Sequence, residues 1–134
     1  FYVFDSKTGS INIKKNFSSF LKPILNNDFV FLISKNNLMI AMDLQSGDII
    51  YSYDLSEKVA NFFNNKKKEL IIKNFYMINN KIFIFLENSY LIQLDIKSEV
   101  DKIVKLPSTL GSTPIVVNNL LLYLNKKNNI LLIN

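Results

Sequence analysis

Three aspartates recur at matching places in the sequence and are the first candidates for chemistry. Asp5, Asp43 and Asp95 each follow a short apolar run. Carboxylate oxygens are ligands that Ca²⁺ prefers, but an Asp side chain also accepts hydrogen bonds from backbone N–H groups in a turn. Because each turn supplies a single carboxylate and the three lie far apart in the sequence, we predict turn residues and no metal site.

Glycine follows two of these aspartates at the same spacing. Gly9 lies four residues after Asp5, and Gly47 lies four residues after Asp43. Glycine can adopt the positive φ that closes such a turn. In the third copy, Glu99 stands at the glycine position. The Asp-x-x-x-Gly pattern therefore predicts a structural turn.

Most of the side chains that enzymes use are absent. The 134 residues include no His, no Cys and no Trp, which excludes Ser-His-Asp and Cys-His nucleophile systems and the usual zinc, haem and iron–sulfur sites. We therefore predict no catalytic, cofactor-binding or metal-binding residue, no cofactor, and a protein that is not an enzyme. Tyr51, Tyr53 and Tyr76 could present hydroxyl groups to a ligand, but rings packed in the core with their hydroxyls at the rim are the simpler interpretation.

The charge pattern gives little support to nucleic-acid binding. The net charge is +5 at pH 7, but every basic residue is Lys, whereas phosphate and base recognition relies on Arg and on clustered charge. The run Lys66–Lys68 lies among Asn and Glu residues, as a solvated loop does. No apolar run approaches the ~18 residues of a membrane-spanning helix. We predict neither a nucleic-acid partner nor a transmembrane segment.

An internal repeat is the strongest signal in the sequence. Residues 26–40 overlay residues 118–132 at an offset of 92, and a third copy begins at Asn79. Each copy has an Asn-rich turn, an apolar run, a hairpin turn and a second apolar run. The spacing from Asp5 to Asp43 is 38 residues, and from Asp43 to Asp95 it is 52. A repeat of about 40 residues is typical of a four-stranded propeller blade.

The apolar runs are too short and too rich in β-branched and aromatic residues for helices. Phe29–Ile33 is apolar at every position, so both faces of this strand should be covered by neighbouring sheets. We predict an all-β fold of four-stranded antiparallel propeller blades, forming an incomplete ring of about three blades. The insert Ser56–Lys68 forms either one or two helical turns or an irregular loop. The predicted organisation is a single propeller segment over 1–134, with a partial blade 1–20, a blade 21–55, the insert 56–68, a blade 69–106 and a partial blade 107–134.

The segment Leu38–Tyr53 resembles the repeat of the pyrroloquinoline-quinone-like (PQQ-like) propellers, in which a strand ending in Leu-Asp precedes a Gly turn and a strand that carries Trp. Ser112–Asn119 is similar to the innermost strand of that repeat and the turn after it. Tyr51 stands at the position of the Trp. The structural signature residues of the repeat in this chain are Asp5, Gly9, Asp43, Gly47, Tyr51 and Asp95.

The resemblance implies one of two functions. The family includes the propeller lipoprotein of the outer-membrane β-barrel protein assembly machinery, a non-enzymatic scaffold, and we favour this relationship. It implies protein partners, either subunits of the assembly complex or unfolded β-barrel clients, and a periplasmic location with a lipid anchor upstream of this segment. The alternative is a fragment of a PQQ-dependent quinoprotein dehydrogenase whose cofactor site lies in other blades.

The two ends of the sequence fall at the same place in the repeat. Phe1–Phe4 and Ile130–Ile133 both match the third strand of a blade. A propeller protects its strand edges only when the ring closes. We therefore expect either further blades outside this sequence or association of copies through open blade edges.

Overall fold

The computed structural model describes residues 1–97, 100–118 and 120–133. These residues form thirteen strands and one helix. The strands are β1 (Tyr2–Phe4), β2 (Ile11–Lys14), β3 (Ile24–Asn26), β4 (Phe29–Ile33), β5 (Leu38–Asp43), β6 (Ile49–Asp54), β7 (Ile72–Ile78), β8 (Lys81–Leu86), β9 (Tyr90–Asp95), β10 (Val100–Lys105), β11 (Ile115–Val117), β12 (Leu120–Leu124) and β13 (Ile130–Ile133), and the helix is α1 (Leu55–Phe62).

Strands that follow one another in the chain pair with one another in antiparallel sheets. The sheets contain β1–β2, β3–β4–β5–β6, β7–β8–β9–β10 and β11–β12–β13, each in chain order. This meander of four strands is the arrangement of a propeller blade. The prediction of an all-β fold of antiparallel propeller blades, with incomplete blades among them, is confirmed.

The chain divides into two compact units, residues 1–68 and residues 69–134. In the first unit, Ile13 of β2 is buried among side chains of β4 and β5. In the second unit, Phe83 and Phe85 of β8 are buried among side chains that include Leu121 and Tyr123 of β12. Each unit is therefore held together by the packing of one sheet face on the face of the next sheet.

The continuously apolar strands are buried on both faces, as their sequences predict. In β4, all residues from Val30 to Ile33 are buried, and in β8 all residues from Ile82 to Leu86 are buried. Alternate residues of a strand point to opposite faces. Water is therefore excluded from both sides of these two strands.

The turns of the repeat show that the predicted offset of 92 is one residue too long. Asn27 and Asn118 both have positive φ, at 52° and 48°. Ser34 Oγ and Asn125 Oδ1 both accept hydrogen bonds from the backbone N–H groups two and four residues further on. Both pairs are separated by 91 residues. Each of these turns has two consecutive Asn residues, so the sequences of the two copies can be aligned at either Asn. The positive φ identifies the Asn that makes the turn.

Helix α1 occupies the first part of the predicted insert. Asp54 caps its N-terminus, because Asp54 Oδ1 accepts hydrogen bonds from the N–H groups of Ser56 and Glu57 at 2.8 and 3.2 Å. Lys67 Nζ pairs with Asp54 Oδ2 at 2.5 Å. Of the two alternatives for the insert, the structure therefore has the helix, followed by a solvent-exposed lysine-rich segment.

Candidate interaction surface

The aspartate turns have well-defined hydrogen bonds. Asp43 Oδ1 accepts from the N–H groups of Ser46 and Gln45 at 2.9 and 2.8 Å, and these bonds lower the pKa of Asp43. Asp5 Oδ1 accepts from the N–H groups of Thr8 and Lys7, both at 2.8 Å, and its pKa is lowered for the same reason. Both carboxylates therefore stabilise the loop that joins the third and fourth strands of a blade.

The glycines of these turns lie in the left-handed region. Gly9 has a φ of 73° and Gly47 a φ of 75°. Gly47 is also buried against Ile13, whose Cγ2 would lie 3.2 Å from a Cβ atom at position 47. The Gly47 turn therefore takes part in packing between sheets, whereas a Cβ atom at Gly9 would meet nothing within 4 Å.

The other two signature residues lie on strands. Tyr51 of β6 lies opposite Ala41 of β5, and its ring stacks on that of Tyr53 with the centroids 5.9 Å apart. Asp95 ends β9 and lies opposite Lys81. The Glu99 position that follows it is outside the described residues. In the part of the chain that is described, no three His, Cys, Asp or Glu side chains come together to hold a metal ion.

The last sheet has an open edge. In the complete sheets, the third strands β5 and β9 pair with β6 and β10, but among the described residues β13 pairs only with β12. Asn125 N donates to Asn129 O at 3.0 Å, and hydrogen-bonded and non-hydrogen-bonded pairs alternate along an antiparallel ladder. The backbone groups of Ile130 and Leu132 therefore point to the open edge of β13.

The same sheet has an exposed apolar face. Leu131 and Ile133 of β13 pack toward the core of their unit, so the intervening Ile130 and Leu132 point to the other side. That side carries an apolar hollow of about 310 Å³ lined in part by Ile115, Leu122, Leu124 and Ile130. We define the C-terminal open face as Ile115, Val117, Leu122, Leu124, Ile130 and Leu132.

The first sheet has an exposed apolar face too. Val3 of β1 packs toward the core of its unit, so Tyr2 and Phe4 point away from it. The Tyr2 and Phe4 rings stack with their centroids 6.1 Å apart, and Lys14 Nζ lies 5.9 Å from the centroid of Tyr2. We define the N-terminal open face as Tyr2, Phe4, Ile11 and Lys14.

The sequence identifies the first and last strands of the chain but not these two faces. Sequence patterns show that a strand is apolar on both sides, yet they do not show which side is left uncovered. The signal that could have found the faces is the repeat itself, because the first and last copies lack strands that the inner copies have.

The fold and its open faces are those of a β-propeller segment. Among solved structures, the chain is similar to the crystal structure of BamB from Moraxella catarrhalis, with a TM-score of 0.73 and 17% identity over 96% of this chain and 35% of that one. It is also similar to the quinohemoprotein alcohol dehydrogenase from Comamonas testosteroni, with a TM-score of 0.54 and 14% identity over 80% of this chain and 17% of that one.

A third similar structure is the WD40 β-propeller domain of Doa1, with a TM-score of 0.56 and 12% identity over 81% of this chain and 34% of that chain. This chain thus spans about a third or less of each of these proteins. No protein-family model matches the sequence, and no curated protein matches it. At these identities the likeness establishes the propeller fold. No helix in the described residues is long and apolar enough to cross a membrane.

Proposed function

We propose that this chain is part of a non-catalytic propeller scaffold that binds proteins in the periplasm and assists the assembly or insertion of outer-membrane proteins. The observation that carries the proposal is the structural likeness to BamB over 96% of the chain. The PQQ-like character of the segment Leu38–Tyr53 supports it. The absence of His and Cys from the sequence fits a protein that acts by contact.

The open edge of β13 supplies a mode of binding. An extended polypeptide can add to an exposed strand edge through main-chain hydrogen bonds, which tolerate many sequences. Each such bond contributes a net ~0.5 to 1.5 kcal/mol. An added strand would lie beside β13 as β6 lies beside β5. Leu132 corresponds to Ala41, so the residue of the added strand that lies opposite Leu132 would correspond to Tyr51. We propose that subunits of the assembly complex or unfolded β-barrel clients bind there.

The test is binding of the purified chain to an unfolded outer-membrane β-barrel client and to the β-barrel subunit of the assembly machinery. We expect capture of at least one of them, with slower hydrogen exchange at the amides of Ile130 and Leu132 in the complex. If neither protein is captured, the proposed function is wrong.

A pair of variants at one position tests the mode of binding. Leu132→Pro removes the N–H that points to the open edge and leaves the ladder to β12 intact, so it should abolish strand addition. Leu132→Lys removes the same apolar side chain but keeps the N–H, so it should still bind the client. Equal binding by both variants would exclude strand addition at β13.

The alternative function is a part of a PQQ-dependent quinoprotein dehydrogenase, which the likeness to a quinohemoprotein alcohol dehydrogenase keeps open. The described residues do not fit a quinone site, because they bring together no cluster of three carboxylate, His or Cys groups that could hold the accompanying cation. Because this alternative places the cofactor site in other blades, a titration with PQQ and Ca²⁺ that separates the two functions uses a protein containing those blades, and fluorescence follows the binding. Saturable binding would favour the dehydrogenase.

A further inference from the structure

The connection between β6 and β7 is longer than the other two connections that lead from one sheet to the next. Residues 15–23 join β2 to β3 and residues 106–114 join β10 to β11, whereas residues 55–71 join β6 to β7. Helix α1 lies in this longer connection. Both sheets that it joins have all four strands, so the extra residues are needed neither to complete a sheet nor to connect the two.

Three connections meet at one end of the β3–β6 sheet. Because the sheet is antiparallel, the ends of β4 and β6 lie at the same end of it as the start of β3. Backbone hydrogen bonds join the connections there: Lys35 N donates to Ser18 O at 2.8 Å, and Leu55 N donates to Asn37 O at 3.0 Å. We define the lysine-rich end of the first unit as residues 15–23, 34–37 and 55–68.

Charge is divided between the two ends of this sheet. The lysine-rich end carries seven Lys and one Glu. The turns at the opposite end carry Asp28, Asp43 and Asp48 and no Lys. These two turns are joined, because Leu44 N donates to Asp28 O at 2.8 Å. The sheet therefore has a positive end and a negative end.

The chain that follows α1 turns back along the helix. Asn64 has a φ of 51°, and Asn65 N donates to Ala60 O at 2.9 Å, which is the bond that ends a helix in a Schellman motif. Lys67 then pairs with Asp54 at the start of the helix. The lysine run is therefore held beside α1 and belongs to the same end of the sheet.

Three phenylalanine rings are exposed at this end. Phe62 is 45% exposed and Phe63 is 42% exposed, and their ring centroids lie 5.4 Å apart, edge to face. Phe20 is 83% exposed, and Lys35 Nζ lies 4.3 Å from the centroid of its ring. Exposed apolar groups that are rimmed by polar residues mark interaction surfaces. The lysine-rich end is therefore an amphipathic contact surface.

We propose that the lysine-rich end binds the surface of an anionic lipid bilayer. Lys66 and Lys68 are exposed, and neither forms an ion pair with another described residue. Their ammonium groups lie beside the lipid phosphates, and the phenylalanine rings enter the boundary between the headgroups and the acyl chains. The opposite end is repelled by the same surface, so the division of charge orients the sheet.

The composition of this end favours a lipid surface over a protein partner. Lys is depleted in the core of protein–protein interfaces. A fluid surface with many phosphates needs no fixed geometry from the charges that it attracts, and Lys is a point charge on a flexible stem. The proposal rests on the first unit alone and does not depend on the proposed function.

The absence of Trp from the sequence permits a direct measurement. Phe62→Trp places a single indole at the lysine-rich end. We expect its emission to shift to shorter wavelength with vesicles of phosphatidylglycerol and phosphatidylcholine, but not with vesicles of phosphatidylcholine alone. The matched control is Phe29→Trp, because Phe29 begins β4 at the opposite end of the same sheet and is 38% exposed. Its emission should not shift with either vesicle.

Cosedimentation with the anionic vesicles tests the lysines. Lys66→Gln and Lys68→Gln should each weaken binding about fivefold, and the double variant should weaken it about 25-fold. The charge-matched control carries Lys7→Gln and Lys97→Gln, which remove the same charge outside the lysine-rich end. Binding of this control should be nearly unchanged.

A poly-glutamate peptide is the probe for an acidic protein partner. It should leave the emission of the Phe62→Trp variant unchanged, because it offers no apolar layer for the ring to enter. The proposal would be overturned by an emission that anionic vesicles do not shift, by equal losses in the two double lysine variants, or by a shift with poly-glutamate and none with vesicles. Capture of β-barrel clients is measured separately, so failure of one proposal leaves the other standing.

Discussion

At the scale of single residues, the turn that follows β5 depends on hydrogen bonds within the turn and on a packing contact with a residue far away in the sequence. Asp43 accepts from N–H groups two and three residues away, so the sequence around it is enough to predict the turn. Gly47 is also needed for its positive φ, which local sequence predicts. Its contact with Ile13 joins residues 34 positions apart, and no local pattern predicts that.

This contrast predicts different effects of alanine at two glycines. Gly9→Ala and Gly47→Ala both place a Cβ in the left-handed region, which costs about 1 to 2 kcal/mol. Gly47→Ala also pushes its Cβ against the buried Ile13, so its loss of unfolding free energy should be the larger. Urea denaturation of both variants measures the difference, and equal losses would show that Ile13 moves away without cost.

At the scale of elements, helix α1 depends on its cap. Asp54 both accepts from two N–H groups of the first turn and pairs with Lys67. The sequence indicated a helix as one alternative for the insert, but it did not indicate this cap. Asp54 ends a strand that is paired with β5, and the position of that strand end depends on the sheet.

Variants at Asp54 should separate the cap from the ion pair. Asp54→Ala removes both and should lower the unfolding free energy by about 1 kcal/mol. Asp54→Asn keeps an acceptor for the cap, and Lys67→Met keeps the whole cap, so each should lose less. Thermal denaturation gives the order, and a Lys67→Met variant as unstable as Asp54→Ala would contradict it.

The packing of sheet on sheet predicts a large effect for a buried ring. Phe85 of β8 is fully buried, with its ring centroid 6.5 Å from that of Tyr123. Phe85→Ala removes this ring and leaves a cavity, which should cost about 3 to 5 kcal/mol. The control is Phe20→Ala, since Phe20 is 83% exposed and its loss should be small. Urea denaturation compares the two, and similar losses would contradict the described core.

At the scale of the whole molecule, the titratable groups predict how stability depends on pH. Asp5, Asp43 and Asp54 have pKa values below the usual 3.8. At Asp5 and Asp43, the pKa is lowered by hydrogen bonds from backbone N–H groups. At Asp54, the largest cause of the lowered pKa is the hydrogen bond from Lys67. A lowered pKa in the folded state adds stability that is present above the unfolded value and is lost as the pH falls through the folded value.

We therefore expect the thermal midpoint to fall as the pH drops below about 4. Between pH 5 and 7 it should change little, because the sequence has no His to titrate there. A variant with Asn at positions 5, 43 and 54 keeps acceptors at these turns and should show a weaker acid dependence. An unchanged acid dependence would assign the effect to other carboxylates.

The sequence by itself determined the strands, their order and the turns, because apolar runs, Asn and Gly turns and Asp caps act between residues close together in the chain. It also determined that the copies are equivalent, which is why the all-β blade fold was predictable. The tertiary structure alone decided the 91-residue register of the last copy, the cap of α1 and the side of each end sheet that is exposed. The register depends on which Asn of each turn has the positive φ, and the cap depends on where the paired strand β6 ends. The exposed side depends on the packing of sheets, because repeated apolar strands look alike whether or not another sheet covers them.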